Sequence, residues 1–173
     1  RSKFVGVELY GKTLGIIGLG NIGAEVAKRA QAFGMRVIAH DPFLSTERAQ
    51  QLEVQLVPLE QLYAEADFMT VHTPLTAQTR HLIGAKELAK MKNGVRLINC
   101  ARGGIVDEAA LHKALMDGQV AGAALDVYEE EPPKNHPLAA LPQVVLTPHL
   151  GASTEEAQLN VAIEVAKQVV DFL

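Results

Sequence analysis

Thr13-Leu14-Gly15-Ile16-Ile17-Gly18-Leu19-Gly20-Asn21-Ile22-Gly23 is the stretch from which the architecture can be read. Thr13 to Ile17 is short, apolar and rich in β-branched residues, and it runs into glycine. That is the pattern of a strand covered on both faces, which points to a parallel sheet. From Ile22 the period changes: Ile22, Val26, Ala30 and Phe33 recur every three or four residues with Glu25, Lys28 and Arg29 between them. A helix is expected there, and Gly34 is placed to end it. Between strand and helix, Gly18, Gly20 and Gly23 stand where a backbone must turn sharply, approach a pyrophosphate closely and let the helix pack on the strand. Amides at the helix start then face the anion.

The same alternation continues to the end of the chain. Strands are expected over Met35 to Ala39, Phe68 to Val71, Val95 to Ile98, Val120 to Leu125 and Val144 to Leu146. Helices are expected over Glu60 to Glu65, Ala85 to Met91 and Asp107 to Asp117, the last opening on an acidic residue suited to an N-terminus. This order implies an α/β, Rossmann-type, doubly wound parallel sheet. With 173 residues and 48% hydrophobic composition, the chain can bury one core, so residues 1–173 read as a single domain. A closing helix is expected over Thr154 to Leu173, capped by Ser153 or Thr154. Its broad apolar face (Leu159, Val161, Ala162, Val165, Ala166, Val169, Phe172) calls for packing against the sheet, a neighbouring domain or a second subunit. Glu129 to Pro137 is the strongest loop signal.

Asp41 ends the second strand at the place where a carboxylate accepts hydrogen bonds from both adenosine ribose hydroxyls and repels a 2′-phosphate. NAD is therefore expected over NADP, although Asp41 before Pro42 also suits an ordinary turn. The net charge of −4, with no Lys/Arg run, gives no footprint for nucleic acid or an anionic membrane. One cysteine allows no internal disulfide, and no apolar segment is long enough to span a bilayer. The opening Arg1-Ser2-Lys3-Phe4 has neither an initiating methionine nor a signal peptide, and the chain reads as a cytoplasmic piece of a longer protein.

Sites in such sheets lie beyond the carboxyl ends of the strands. The segments placed there are His72-Thr73-Pro74-Leu75-Thr76, Asn99-Cys100-Ala101-Arg102-Gly103-Gly104, Asp126-Val127-Tyr128-Glu129-Glu130-Glu131-Pro132-Pro133 and Thr147-Pro148-His149-Leu150-Gly151-Ala152. A cation, a carboxylate and an imidazole thus converge on one edge. In these segments, together with the glycine turn, the chain resembles the D-isomer-specific 2-hydroxyacid dehydrogenases, most closely the branch acting on 3-phosphoglycerate. The resemblance implies catalytic positions for Arg102, Glu131 and His149. It implies cofactor contacts for Asn21, Ile22, Asp41, Thr73, Cys100, Ala101, Asp126, Gly151 and Ala152, beside the glycines, Arg102 and His149.

The residue types suit those roles. Hydride transfer at a carbon bearing oxygen needs a proton moved on that oxygen, and histidine has the right intrinsic pKa. A carboxylate bonded to the imidazole orients it and favours its protonated form. Arginine binds a substrate carboxylate with forked donors and polarises the carbonyl. Asp126, by the resemblance, holds the nicotinamide carboxamide. Cys100 reads as a packed thiol offering its backbone. His40, His72, His81, His112 and His136 show no metal-ligand spacing, so no metal is expected. Family members build a substrate domain from segments before and after the cofactor domain, and both are absent here. NAD binding without turnover is expected of this piece alone, and the resemblance also implies pairing through this domain. A glyoxylate or hydroxypyruvate reductase, and an NAD(H)-sensing corepressor-like interaction protein, remain alternatives.

Overall fold

A computed structural model describes residues 5–172; Arg1 to Phe4 and Leu173, for which expectations are stated above, lie outside the described residues. Seven strands, β1 (Thr13–Ile17), β2 (Arg36–His40), β3 (Gln55–Leu56), β4 (Phe68–Val71), β5 (Val95–Asn99), β6 (Val120–Leu125) and β7 (Val144–Leu146), form one sheet in the order β3-β2-β1-β4-β5-β6-β7. Every pairing is parallel. The order reverses between β1 and β4, which opens a crevice at their carboxyl ends.

Helices α1 (Asn21–Ala32), α2 (Thr46–Gln51), α3 (Leu59–Glu65), α4 (Ala85–Leu88) and α5 (Glu108–Met116) link the strands, and α6 (Glu155–Phe172) closes the chain. All five residues of β1 are buried, as its apolar run requires. Successive residues feed opposite faces: Ile16, Val37 and Ala39 join a core with Ala24, Ala27 and Ala30 of α1, whereas Ile17 and Ile38 join one with Leu62, Met69, Leu97 and Leu111. Each fully buried Ile or Leu contributes ~1.5–3 kcal/mol by leaving water. Asp107 caps α5 by accepting from the Ala110 amide at 2.9 Å, and Gly34 ends α1 at φ +73°.

Three expectations change. The stretch between β2 and α3, for which no element was expected, holds α2 and the two-residue edge strand β3. Helix α4 stops at Leu88 because Lys90 and Met91 bond back to Glu87 and Leu88, tightening the chain into a turn. The closing helix begins at Glu155, with Thr154 accepting from the Ala157 amide, but none of its residues is buried. Packing of α6 on this sheet is therefore excluded as the use of its apolar face, and Leu159, Val161, Val165, Val169 and Phe172 stand exposed.

Candidate active site

The glycine turn is built by close approach. Gly18 adopts φ +90°, open to glycine at no steric cost, and a Cβ there would lie 2.8 Å from the His72 carbonyl oxygen. The turn is thereby pressed onto the segment that follows β4. A Cβ on Gly23 would meet the Gly18 oxygen at 2.2 Å, so α1 starts hard against the turn. Gly20 differs: a Cβ there would meet nothing within 4 Å. Open space lies before a helix start that no side chain caps and no acidic residue neutralises. Amides ahead of the Ala24–Gly20 hydrogen bond have no intrahelical partner, which leaves them for an anion.

Asp41 sits beside this cradle. One oxygen accepts from the Leu19 amide at 2.8 Å and the other from the Phe43 amide at 2.9 Å, so the turn role and the placement at the glycine loop hold together. A carboxylate has about four acceptor sites. Two remain, enough for a pair of ribose hydroxyls. A cleft of about 560 Å³ runs from Gly18, Gly20 and Asp41 to Phe43, Leu59 and Thr73. Thr73 Oγ1, on its wall, is buried and has no hydrogen-bond partner. An unpartnered buried hydroxyl asks for an explanation, and a ligand in this cleft supplies one. The cradle at Gly20, the unused acceptors of Asp41 and the Thr73 hydroxyl together fit NAD.

The second corner joins three loops. Asn99, 2% exposed at the end of β5, accepts from the Ala101 amide and donates to the Arg102 carbonyl, each at 3.0 Å. Arg102 is exposed beyond this clamp and donates to the Ala101 carbonyl at 2.6 Å. Cys100 is not the packed residue expected: Asn99 takes the inward position at the strand end, and Cys100 is exposed. Partial burial of its sulfur, and then the charge of Asp126, push its thiol up from the ordinary range. Gly103 lies against the next loop so tightly that a Cβ would fall 1.6 Å from the Tyr128 carbonyl oxygen.

Tyr128 connects that loop to the one after β7. Its hydroxyl donates to the Thr147 carbonyl at 2.7 Å, and its amide donates to Glu131 Oε1 at 3.0 Å. Glu131 Oε2 meets His149 Nδ1 at 2.7 Å. The hydrogen bond from His149, followed by that from the Tyr128 amide, holds the Glu131 carboxyl below its ordinary range. With Glu131 ionised, Nδ1 is the donor, and Nε2 is left for a substrate. His149 has φ +57°, a conformation that costs a non-glycine residue energy. Asp126, 4% exposed, holds the strained turn by accepting from the Thr147 hydroxyl and from the Leu150 and Gly151 amides. Burial pushes its carboxyl up, but these hydrogen bonds outweigh it, and the net displacement is downward.

The structure thus brings Glu131 and His149 into contact and sets Arg102 on the adjoining loop. Asp126 and Gly151 bond to each other, and Ala152 follows in the same exposed turn. Asn21 and the exposed Ile22 open α1 above the cradle. Asn99, Gly103 and Tyr128 were not singled out from the sequence; a strand ending on a polar residue was the available signal for Asn99. Among the described residues no group of three or more His, Cys, Asp or Glu can hold a metal ion, and no helix is long and apolar enough to cross a membrane.

Residues 1–151 match the family model described as the D-isomer specific 2-hydroxyacid dehydrogenase, NAD binding domain. The D-3-phosphoglycerate dehydrogenase of Bacillus subtilis (strain 168) is 59% identical over 172 residues, which cover 99% of this chain and 33% of that protein. The D-3-phosphoglycerate dehydrogenase of Homo sapiens is 54% identical over 173 residues, covering 100% and 32%. The chain thus spans about a third of the length of these curated relatives. Among solved structures, a D-lactate dehydrogenase from Aquifex aeolicus complexed with NAD and lactic acid superimposes with a TM-score of 0.89 at 34% identity, covering 99% of this chain and 56% of that one. A glyoxylate reductase from Paecilomyes thermophila gives 0.87 at 45% identity, covering 92% and 48%.

Proposed function

The chain belongs to the D-isomer specific 2-hydroxyacid dehydrogenases as their NAD-binding domain, and from that premise we propose that it is the cofactor half of a longer enzyme oxidising 3-phosphoglycerate to 3-phosphohydroxypyruvate at the entry to serine synthesis. Support for the substrate comes from relatives at 54–59% identity that carry the phosphoglycerate name, against 45% for the glyoxylate reductase structure.

NAD, when bound, supplies the hydride acceptor. Gly18, Gly20 and the α1 amides hold its phosphates, Asp41 its adenosine ribose, and Thr73 and Asp126 polar groups further along. His149 Nε2 takes the proton of the substrate hydroxyl during oxidation and returns it during reduction. Glu131 fixes the tautomer that leaves Nε2 free and stabilises the imidazolium once it forms. Arg102 binds the substrate carboxylate and draws electron density from the carbonyl oxygen. The 2.7 Å contact of Glu131 with His149 Nδ1 is the observation that carries this reading.

In the full-length dehydrogenase, His149→Ala is expected to lower kcat by roughly 10²–10⁴-fold, the usual worth of a general acid/base, and to leave NAD affinity near wild type. An unchanged kcat overturns the role. A panel of 3-phosphoglycerate, glycerate, lactate and glyoxylate tests the substrate, and preference for an unphosphorylated acid overturns it. We further propose a cytoplasmic enzyme that pairs as a homodimer through this domain, an arrangement that gives the apolar face of α6 a use; sedimentation of the intact protein as a monomer contradicts the pairing.

A further inference from the structure

Glu131 reaches His149 from a loop of irregular backbone, and that loop is fastened by groups outside the site described above. Glu129 donates its amide to Glu108 Oε1 at 2.7 Å, and Glu108, at the first residue of α5, donates its amide to Glu129 Oε1 at 3.3 Å. Glu108 Oε2 also meets His136 Nε2 at 2.9 Å. Both side chains are largely shielded, at 18% and 12% exposure. His136 Nδ1 accepts from the Leu138 amide, so Nε2 is the donor to Glu108, and its ring lies edge-on to Tyr128 at 5.2 Å. From the loop after β4, His81 Nε2 reaches Glu129 Oε1 at 3.2 Å. Asp107 and His112 line the same cavity of about 690 Å³ and are the other titratable groups facing the cluster.

Glu108 and His81 therefore bond Glu129, two positions before Glu131, His136 joins through Glu108, and none of the bonds includes His149. We propose that the reciprocal pair Glu108–Glu129 is a clasp that positions Glu131 and, through it, the His149 imidazole. Glu108 is on this reading a positioning residue of the hydride-transfer site. The inference rests on the acid/base role assigned to His149. Its physical basis is tolerance: proton transfer needs the base held within a fraction of an ångström, and a loop without regular hydrogen bonding holds that only if anchored nearby. Glu108 supplies that anchor. Its one carboxylate serves both Glu129 and His136, on either side of Glu131 and the proline pair.

The test is a double-mutant cycle in the intact dehydrogenase. Glu108→Ala is expected to lower kcat roughly 10- to 100-fold with KM for NAD unchanged. Glu108→Gln, which keeps an acceptor for the Glu129 amide, should recover part of the loss. The pair Glu108→Ala and Glu131→Gln should be no slower than Glu131→Gln alone, since both act through one contact. Wild-type kcat in Glu108→Ala, or losses that multiply in the double variant, overturn the proposal. Should Glu108→Ala not fold, Glu129→Ala, which removes the acceptor for the Glu108 amide and His81 but keeps the Glu129 amide bond, takes its place in the cycle with a smaller loss of kcat expected, and wild-type kcat there overturns the proposal. Imidazole NMR of the folded protein provides a readout independent of turnover: the His149 ring resonances should move in the clasp variant as its contact with Glu131 changes, and unmoved resonances count against the clasp. Failure of the parent reading looks different, for there Glu131→Gln itself would behave as wild type.

Discussion

Gly103→Ala is the substitution for which the structure forecasts the largest effect from the smallest change. A Cβ at this position would stand 1.6 Å from the Tyr128 oxygen, 2.2 Å from its carbonyl carbon and 3.0 Å from the Glu129 nitrogen, all backbone atoms that cannot rotate away. Carbon and oxygen settle at about 3.3 Å, so the two loops must part by about 1.7 Å. Relieving such an overlap in a packed region costs about 1–3 kcal/mol, and a domain of this size loses about 2–4 °C in Tm per kcal/mol. A fall of roughly 2–12 °C is expected by scanning calorimetry. The functional loss should be larger in proportion. The parted loops carry Arg102 on one side and Glu131, with His149 behind it, on the other, and a misplacement of ~1 Å can cost about 100-fold. Stopped-flow hydride transfer in the full-length enzyme should therefore slow by about 100-fold or more, with NAD affinity less affected because the cradle at Gly20 lies on a different loop. Wild-type Tm together with wild-type hydride transfer in Gly103→Ala would refute the close approach and the coupling drawn from it.

Gly20→Ala is the counterpart: its Cβ meets nothing in the protein, so stability without ligand should change by no more than the ~1 kcal/mol typical of an N-cap replacement, while NAD affinity by calorimetry should fall sharply; retained affinity would remove the cradle. NAD at 100 times its dissociation constant should stabilise the native state by ~2.7 kcal/mol and NADP by much less, with Asp41→Ala erasing the difference; equal shifts in wild type would discredit the ribose role. Because Glu131 has its carboxyl pKa lowered by the His149 hydrogen bond, its contribution to stability is present above the ordinary carboxylate range and is lost as pH falls through the depressed value. Glu131→Gln should flatten that acid limb in pH-dependent melting, and an unaltered limb would count against the pair. Cys100, with its thiol pushed up, should react with maleimide more slowly than a free thiol at neutral pH and faster in Asp126→Asn; the reverse order would contradict the influence of Asp126.

The sheet was legible because most of its strands are apolar runs that announce themselves locally. Thr13–Ile17, Phe68–Val71, Val120–Leu125 and Val144–Leu146 have the bounds read from the sequence. Thr46–Gln51 was not legible, being polar along most of its length and burying only Ala49, and Gln55–Leu56 is an edge strand too short for any period. Of the site, Arg102, Glu131 and His149 could be named because the resemblance pointed to them and their residue types suit the proposed chemistry. Asn99, Gly103, Tyr128 and Glu108 could not. Gly103, Tyr128 and Glu108 each meet a backbone partner brought near by the sheet, and a contact of that kind leaves no pattern in the residues around either end; Asn99 bonds to its neighbours Ala101 and Arg102 and left a polar strand end as its signal.

Asp126 holds the fold with one side chain and, on the proposed reading, serves the cofactor as well. Its carboxylate has about four acceptor sites, of which the Thr147 hydroxyl and Leu150 amide occupy Oδ1 and the Gly151 amide occupies one on Oδ2. The three bonds hold the turn that keeps His149 in its left-handed conformation, and one site on Oδ2 is left over. That remaining acceptor can receive an amide donor such as a carboxamide. Asp126→Asn separates the duties, since an amide in place of the carboxylate must turn a donor toward at least one backbone N–H and leaves it unpaired, at about 1–3 kcal/mol. The turn then loosens whether or not NAD is bound. Melting of the unliganded protein should fall by that amount, and kcat should drop along with NAD affinity because His149 is released at the same time. A variant that lost NAD affinity alone, with Tm and kcat intact, would confine Asp126 to the cofactor and deny it any part in holding the imidazole.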